Sequence, residues 1–103
     1  MRLVISNAHI VSPDLDIRCG DIVIEDGKIL AVDDIAGSFA DAHEVIDADG
    51  RYVMPGFIDI HAHGADGEDV CDNSLESIRH IARRKLGEGV TTWLPTTLTQ
   101  PQE

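Results

Sequence analysis

Positive charge is scarce: eight Lys and Arg residues stand against nineteen Asp and Glu, a formal net charge of -11. A partner made of phosphates requires clustered Lys and Arg, so the composition argues against nucleic acid. The one basic cluster, Arg79, Arg83, Arg84 and Lys85, falls inside an amphipathic pattern and reads as a solvated helix face. Cysteine is equally sparse. Cys19 and Cys71 are far apart and too few for a disulfide framework or a cysteine zinc site, so both read as free thiols. Long apolar runs are missing too. Polar residues follow the start Met1-Arg2-Leu3-Val4-Ile5 too early for a signal peptide, and no run approaches the roughly 18 residues of a membrane span. A cytoplasmic protein with no membrane partner is expected. No Gly-x-Gly-x-x-Gly, Walker-type loop or Gly-x-Ser-x-Gly elbow occurs, which leaves nucleotide binding and serine-esterase chemistry without support.

What remains is 103 residues with 43% hydrophobic and 26% charged content, enough for one modest core. The first half alternates short β-branched runs with Asn, Asp, Gly and Pro, the pattern of strands joined by tight turns. Residues 3–5 and 9–11 are expected as strands around Ser6-Asn7-Ala8, with Pro13-Asp14 closing the run. Residues 22–25 and 28–32 flank Asp26-Gly27, a pair suited to the positive φ of a two-residue hairpin. Asp49-Gly50 offers a second such turn between residues 44–47 and 51–54, and residues 33–42 read as a loop.

After Met54 the pattern changes. Residues 56–61 form an apolar strand, and residues 73–86 carry Leu75, Ile78, Ile81, Ala82 and Leu86 at helical spacing, predicting one buried face. Asn73 is the expected N-cap, with Glu76 three residues on and Gly87 and Gly89 as the stop. Val90-Thr91-Thr92-Trp93-Leu94 is the next strand, ended by Pro95. Strand, helix, strand makes a βαβ unit with parallel pairing and a right-handed crossover. Such a pair is apolar on both faces and cannot stand alone, so the sequence is expected to be the front part of a longer protein and, as an isolated piece, to associate.

The residues best placed for chemistry are His61 and His63. Residues two apart on a strand share a face, so both imidazoles can aim at one point, and imidazole suits zinc, iron and similar divalent ions. A bare His-x-His more often marks surface or hydrogen-bonded histidines; its setting is what favours a metal. Pro55-Gly56 precedes the strand, Asp59-x-His61-x-His63-Gly64 ends it, and barrel enzymes place ligands at such strand ends. Gly64 leaves room for a metal or substrate, and Asp66, Glu68, Asp69 and Asp72 make the next loop acidic. Asp59 either orients a ligand or serves as a structural hydrogen bonder. Thr96 and Thr97 reach the same rim, for substrate contact or ordinary strand-end bonding. His9, His43 and His80 lack such company and are assigned no role.

The segment Val53-Met54-Pro55-Gly56-Phe57-Ile58-Asp59-Ile60-His61-Ala62-His63-Gly64 resembles the first barrel strand of the amidohydrolase superfamily. Within it, His63-Gly64-x-x-Gly67-x-Asp69 and Gly89-Val90-Thr91-Thr92-Trp93-Leu94-Pro95-Thr96-Thr97-Leu98-Thr99-Gln100 look like the N-acetylglucosamine-6-phosphate deacetylases. The resemblance implies an α/β chain: β-sandwich strands over residues 1–53, then the first β-α-β segment of a TIM-type (β/α)8 barrel over residues 54–103. It implies hydrolysis of the acetamide of N-acetylglucosamine 6-phosphate to glucosamine 6-phosphate and acetate, with one or two divalent ions, zinc or iron. His61 and His63 would be metal ligands. The remaining ligands, the proton-shuttling aspartate and most of the phosphate site lie at later strands, so no catalytic residue is expected within this chain. The implied partner is a small amino-sugar phosphate, in a homo-oligomer. Two alternatives are a dihydroorotase- or hydantoinase-like cyclic amidase and a non-catalytic β module with vestigial histidines.

Overall fold

The computed structural model describes residues 1–33 and 41–101. Two compact units, Met1–Pro55 and Gly56–Glu103, make up the chain. Most of the expected 33–42 loop, residues 34–40, lies outside the described residues.

The first unit is a mixed sheet of β1 (Arg2–Ser12), β2 (Leu15–Glu25), β3 (Lys28–Asp33), β4 (Glu44–Asp47) and β5 (Tyr52–Val53). Strands run in the order β3-β2-β1-β4, with β5 also on β1. The 22–25/28–32 hairpin is present as the antiparallel pair of β2 and β3, and Asp26 and Gly27 take φ of 49° and 78° as a primed turn requires. Three expectations change. Ser6-Asn7-Ala8 does not separate two strands; β1 is continuous, and the polar residues mark a register irregularity. Asn7 adopts φ 53°, and its N–H goes to Asp21 Oδ1 at 3.0 Å, which compensates for the broken ladder. Pro13-Asp14 does not merely end a run; Ser12 pairs with Leu15, so it is the turn of a hairpin between β1 and β2.

The third change concerns Asp49-Gly50. Both residues have positive φ, 52° and 72°, as the dipeptide predicts, yet β4 and β5 do not pair with each other. Each runs parallel to β1, β4 along residues 3–6 and β5 along residues 9–10. The turn carries the chain past the irregularity at Asn7, whose backbone oxygen accepts from the Gly50 N–H at 2.8 Å. The core is Ala8, Ile10, Ile22 and Ala48, with Ile5, Ile17, Ile24, Val32 and Val53 packed around it. Only one sheet is seen; a second layer of a sandwich is not among the described residues.

The second unit has β6 (Phe57–Ala62), a two-residue pair β7 (Gly64–Ala65) and β8 (Glu68–Asp69), a 3-10 turn at Val70–Asp72, helix α1 (Leu75–Gly87) and β9 (Val90–Pro95). The parallel pairing expected around the helix is present: Asp59 faces Trp93 and Ala62 faces Pro95 in the β6-β9 register. Gly56 is needed at the strand's start, because a Cβ there would fall 2.1 Å from the Thr91 side chain. The N-cap is Ser74, not Asn73: Ser74 Oγ accepts the Ser77 N–H at 3.2 Å, while Asn73 sits at φ 52° as the C-cap of the 3-10 turn. The capping box also moves, to Asp69 and Asp72 of that turn.

The buried stripe of α1 is Ser77, Ile81 and Lys85, so of the five apolar residues expected there only Ile81 is buried. Ile81 is fully buried, whereas Leu75 and Leu86 are exposed. Phe57, Ile58, Ile60 and Leu94 are exposed too, so the two-stranded sheet keeps much apolar surface uncovered in this chain. No helix among the described residues is long and apolar enough to cross a membrane.

Candidate metal centre

β6 delivers His61 near its C-terminal end, and His63 follows one residue beyond it. Their i, i+2 spacing puts both rings on one side, as the strand argument requires. The Nε2 atoms are 3.1 Å apart, and the rings meet edge-on at an interplanar angle of 82°. Two imidazoles bound to one tetrahedral zinc at 2.0–2.1 Å would have nitrogens about 3.3 Å apart. The pair therefore fits two corners of one coordination sphere.

The surrounding backbone holds these rings. His63 Nδ1 lies 3.1 Å from the Thr96 carbonyl oxygen, to which it donates, so the lone pair is on Nε2, the atom that faces His61 Nε2. Ala62, between the two histidines, is held on both sides: its N–H donates to Thr96 Oγ1 at 3.1 Å. Its carbonyl accepts from the Thr96 N–H at 3.1 Å and from Trp93 Nε1 at 3.2 Å. Thr96 thus serves strand-end bonding and orients a ligand ring. Thr97 makes no such contact among the described residues.

Asp59 bonds the His61 backbone and a lysine, not an imidazole. Its Oδ1 accepts the His61 backbone N–H at 3.1 Å, and its Oδ2 accepts from Lys85 Nζ at 2.6 Å; neither oxygen is bonded to an imidazole. The Lys85 ammonium holds the Asp59 carboxyl below the usual carboxylate range, and the His61 amide adds to the effect. Lys85 was expected on a solvated face, and here the structure differs. It is 7% exposed, with Nζ 5.7 Å from the centre of the Trp93 ring. The signal was present in the sequence: Lys85 stands four residues after Ile81 and so shares its side of the helix.

The acidic loop is occupied locally instead of converging on the histidines. Asp66 Oδ1 is 3.4 Å from Arg84 Nε, with His80 Nε2 3.7 Å from its other oxygen. Asp69 Oδ1 accepts the Cys71 N–H, and Asp72 Oδ2 accepts the Asp69 N–H. Gly64 makes room for backbone, not for a metal: a Cβ there would sit 2.0 Å from the Glu68 carbonyl oxygen. Among the described residues no group of three or more His, Cys, Asp or Glu side chains could hold an ion. His9 bonds Asp16 and stacks on Tyr52, and His43 accepts from the Arg2 N–H. Cys19 and Cys71 are free thiols, as expected.

Comparison with known proteins bears on what kind of site this is. A family model described as Amidohydrolase family matches residues 44–97, just over half of the chain and inclusive of both histidines. The chain belongs to the amidohydrolase family. It is 40% identical over 78 residues to an N-acetylgalactosamine-6-phosphate deacetylase of Escherichia coli O157:H7, covering 76% of this chain and 19% of that protein. It is 37% identical over 102 residues to an adenine deaminase of Listeria monocytogenes, covering 98% of this chain and 15% of the relative. Among solved structures, the N-acetylglucosamine-6-phosphate deacetylase of Pasteurella multocida is similar with a TM-score of 0.88 at 25% identity. That match covers 98% of this chain and 27% of the other. This amidohydrolase chain therefore spans between about a seventh and a quarter of these three proteins, and members of the family usually use a divalent metal.

Proposed function

We propose that this chain is the part of an amino-sugar phosphate deacetylase that supplies the first two ligands of its metal centre, His61 and His63. The full enzyme hydrolyses the acetamide of N-acetylglucosamine 6-phosphate to glucosamine 6-phosphate and acetate. The observation that carries this reading is the likeness to the Pasteurella deacetylase, which extends over both units of the chain and not over the histidine strand alone. A divalent ion, zinc or iron, supplies Lewis acidity toward the acetamide carbonyl and toward water. The chain's own contribution is positional. Thr96 fixes the His63 tautomer, and Trp93 and Thr96 fix the peptide between the two ligands.

Among the described residues no group of three or more His, Cys, Asp or Glu side chains gathers at the histidine rings, so the proton shuttle and the phosphate-binding groups are assigned to other parts of the enzyme. The working protein is then a cytoplasmic homo-oligomer acting on a small amino-sugar phosphate. A second reading, a purine deaminase, is favoured by one observation: the likeness to the Listeria protein covers nearly the whole chain as well.

Turnover by an enzyme containing this segment separates the readings. Acetate release from N-acetylglucosamine 6-phosphate or its galactosamine epimer is expected. Ammonia release from adenine, or ring opening of hydantoin or dihydroorotate without acetate release, would overturn the deacetylase reading.

A further inference from the structure

Lys85 is the one buried lysine among the described residues, and it lies on α1, the helix that packs against β9, the parallel partner of the histidine strand. A lysine is rarely buried unless paired. Here Nζ is 2.6 Å from Asp59 Oδ2, against the Trp93 ring, with its side chain only 9% exposed. The other oxygen of the same carboxylate receives the His61 N–H. The chain of contacts therefore runs from α1, through one carboxylate, to the backbone of a metal-ligand candidate. A carboxylate free to rotate about its own Cβ could satisfy the amide two residues on only part of the time; one held by an ammonium on the opposite oxygen has a fixed plane.

We infer that Lys85 is a positioning residue: through Asp59 it locks the His61 backbone, so that His61 Nε2 meets His63 Nε2 at ligand spacing without rearrangement. The inference rests on the reading of the histidines as a metal pair and adds a residue on the helix to it. Partners that orient ligands in this indirect way commonly change metal affinity by 10–100-fold when removed.

The sign of the effect distinguishes positioning from plain electrostatics. Lys85→Met removes a positive charge near a cation site and leaves Asp59 negative, which by Coulomb's law should tighten cation binding. Positioning predicts the reverse. In an enzyme containing this segment, zinc titration followed by the histidine ring signals should show binding weakened about tenfold in Lys85→Met. Arg2→Gln, which removes the Arg2–Glu25 pair of the first unit, should leave it unchanged. Equal or tighter zinc binding in Lys85→Met would overturn the inference.

Amide hydrogen exchange without metal gives a second reading that does not depend on zinc. The His61 amide should exchange faster in Lys85→Met, while the Thr96 amide, held by the Ala62 carbonyl, keeps its protection. An unchanged His61 amide overturns the inference; loss of protection at both amides does so too, because Lys85 would then be holding the fold and not the ligand. Wild-type zinc titration that moves neither imidazole signal would count against the metal reading itself, and the exchange experiment would still decide the role of Lys85.

Discussion

His63 Nδ1 donates to the backbone oxygen of Thr96 at 3.1 Å, so the neighbouring strand's end sets the orientation of this ring. A carbonyl oxygen can only accept, which requires the proton on Nδ1 and the lone pair on Nε2. Nitrogen-detected NMR of the neutral ring should accordingly find His63 as the Nδ1–H tautomer. A dominant Nε2–H tautomer would contradict the proposed role, because that nitrogen could not accept a cation.

The same peptide cluster makes Thr96→Val informative. Its hydroxyl accepts the Ala62 N–H, and valine preserves the shape of the side chain while removing the acceptor. A lost hydrogen bond of this kind costs about 1 kcal/mol, and a part-buried N–H left without a partner adds to it. Chemical denaturation should show a loss of about 1–2 kcal/mol. No change would mean that water replaces the hydroxyl without penalty.

The pH dependence follows from Asp59. Its folded-state pKa is lowered, chiefly by the Lys85 hydrogen bond and then by the His61 amide. A lowered carboxylate pKa stabilises the fold fully above the ordinary value of 3.8, and that contribution disappears as pH falls through the lowered value. Carbon-detected titration of the Asp59 carboxyl should give a midpoint below 3.8 in the wild type, moving up in Lys85→Met. A wild-type midpoint at or above that value would show that the ion pair does not persist in solution.

How far the sequence discloses this structure depends on the distance over which each feature is decided. Turn torsions are local, and Asp26-Gly27 and Asp49-Gly50 both adopt the positive φ their residues favour. Strand partners are not local. Asp49-Gly50 looks like a hairpin, yet β4 and β5 both find β1, because the edge of β1 offers an open ladder to each. The histidine pair is legible because a period of two needs only a strand. Its supports are not, since Thr96 acts through its backbone and Lys85 through a residue 26 positions away. Charge alone suggested that Lys85 faces water; its place on the Ile81 stripe of α1 outweighs that, given a carboxylate to meet it.

Helix initiation gives a direct contrast between two adjacent residues. Ser74 supplies the capping oxygen, and Ser74→Ala should cost about 1 kcal/mol in thermal or chemical unfolding. Asn73 supplies only its tolerance of a left-handed backbone at φ 52°. Asn73→Gly should therefore be close to neutral, while Asn73→Ala should cost roughly 1–2 kcal/mol. If Asn73→Gly proved the more damaging change and Ser74→Ala were silent, the cap would belong to Asn73.

Gly64 and Gly87 show that two glycines of one unit need not matter equally. A Cβ on Gly64 would lie 2.0 Å from the Glu68 carbonyl oxygen and 3.1 Å from Asp69 Cα, both backbone atoms of the paired strand β8. Neither can move aside cheaply. The preceding residue is tied as well, since the His63 carbonyl accepts the Val70 N–H at 2.8 Å. Gly64→Ala should therefore force β7 and β8 apart, at a cost of at least 1–3 kcal/mol by the usual scale of overpacking, about that or more. The strain should reach His63, so zinc affinity should fall together with stability. Gly87 ends α1 with ordinary φ and nothing within 4 Å of a built Cβ. Gly87→Ala should stabilise the chain by about 0.5–1 kcal/mol through the helix preference for alanine. A Gly64→Ala chain as stable as Gly87→Ala would show that the short β7-β8 pair does not form in solution.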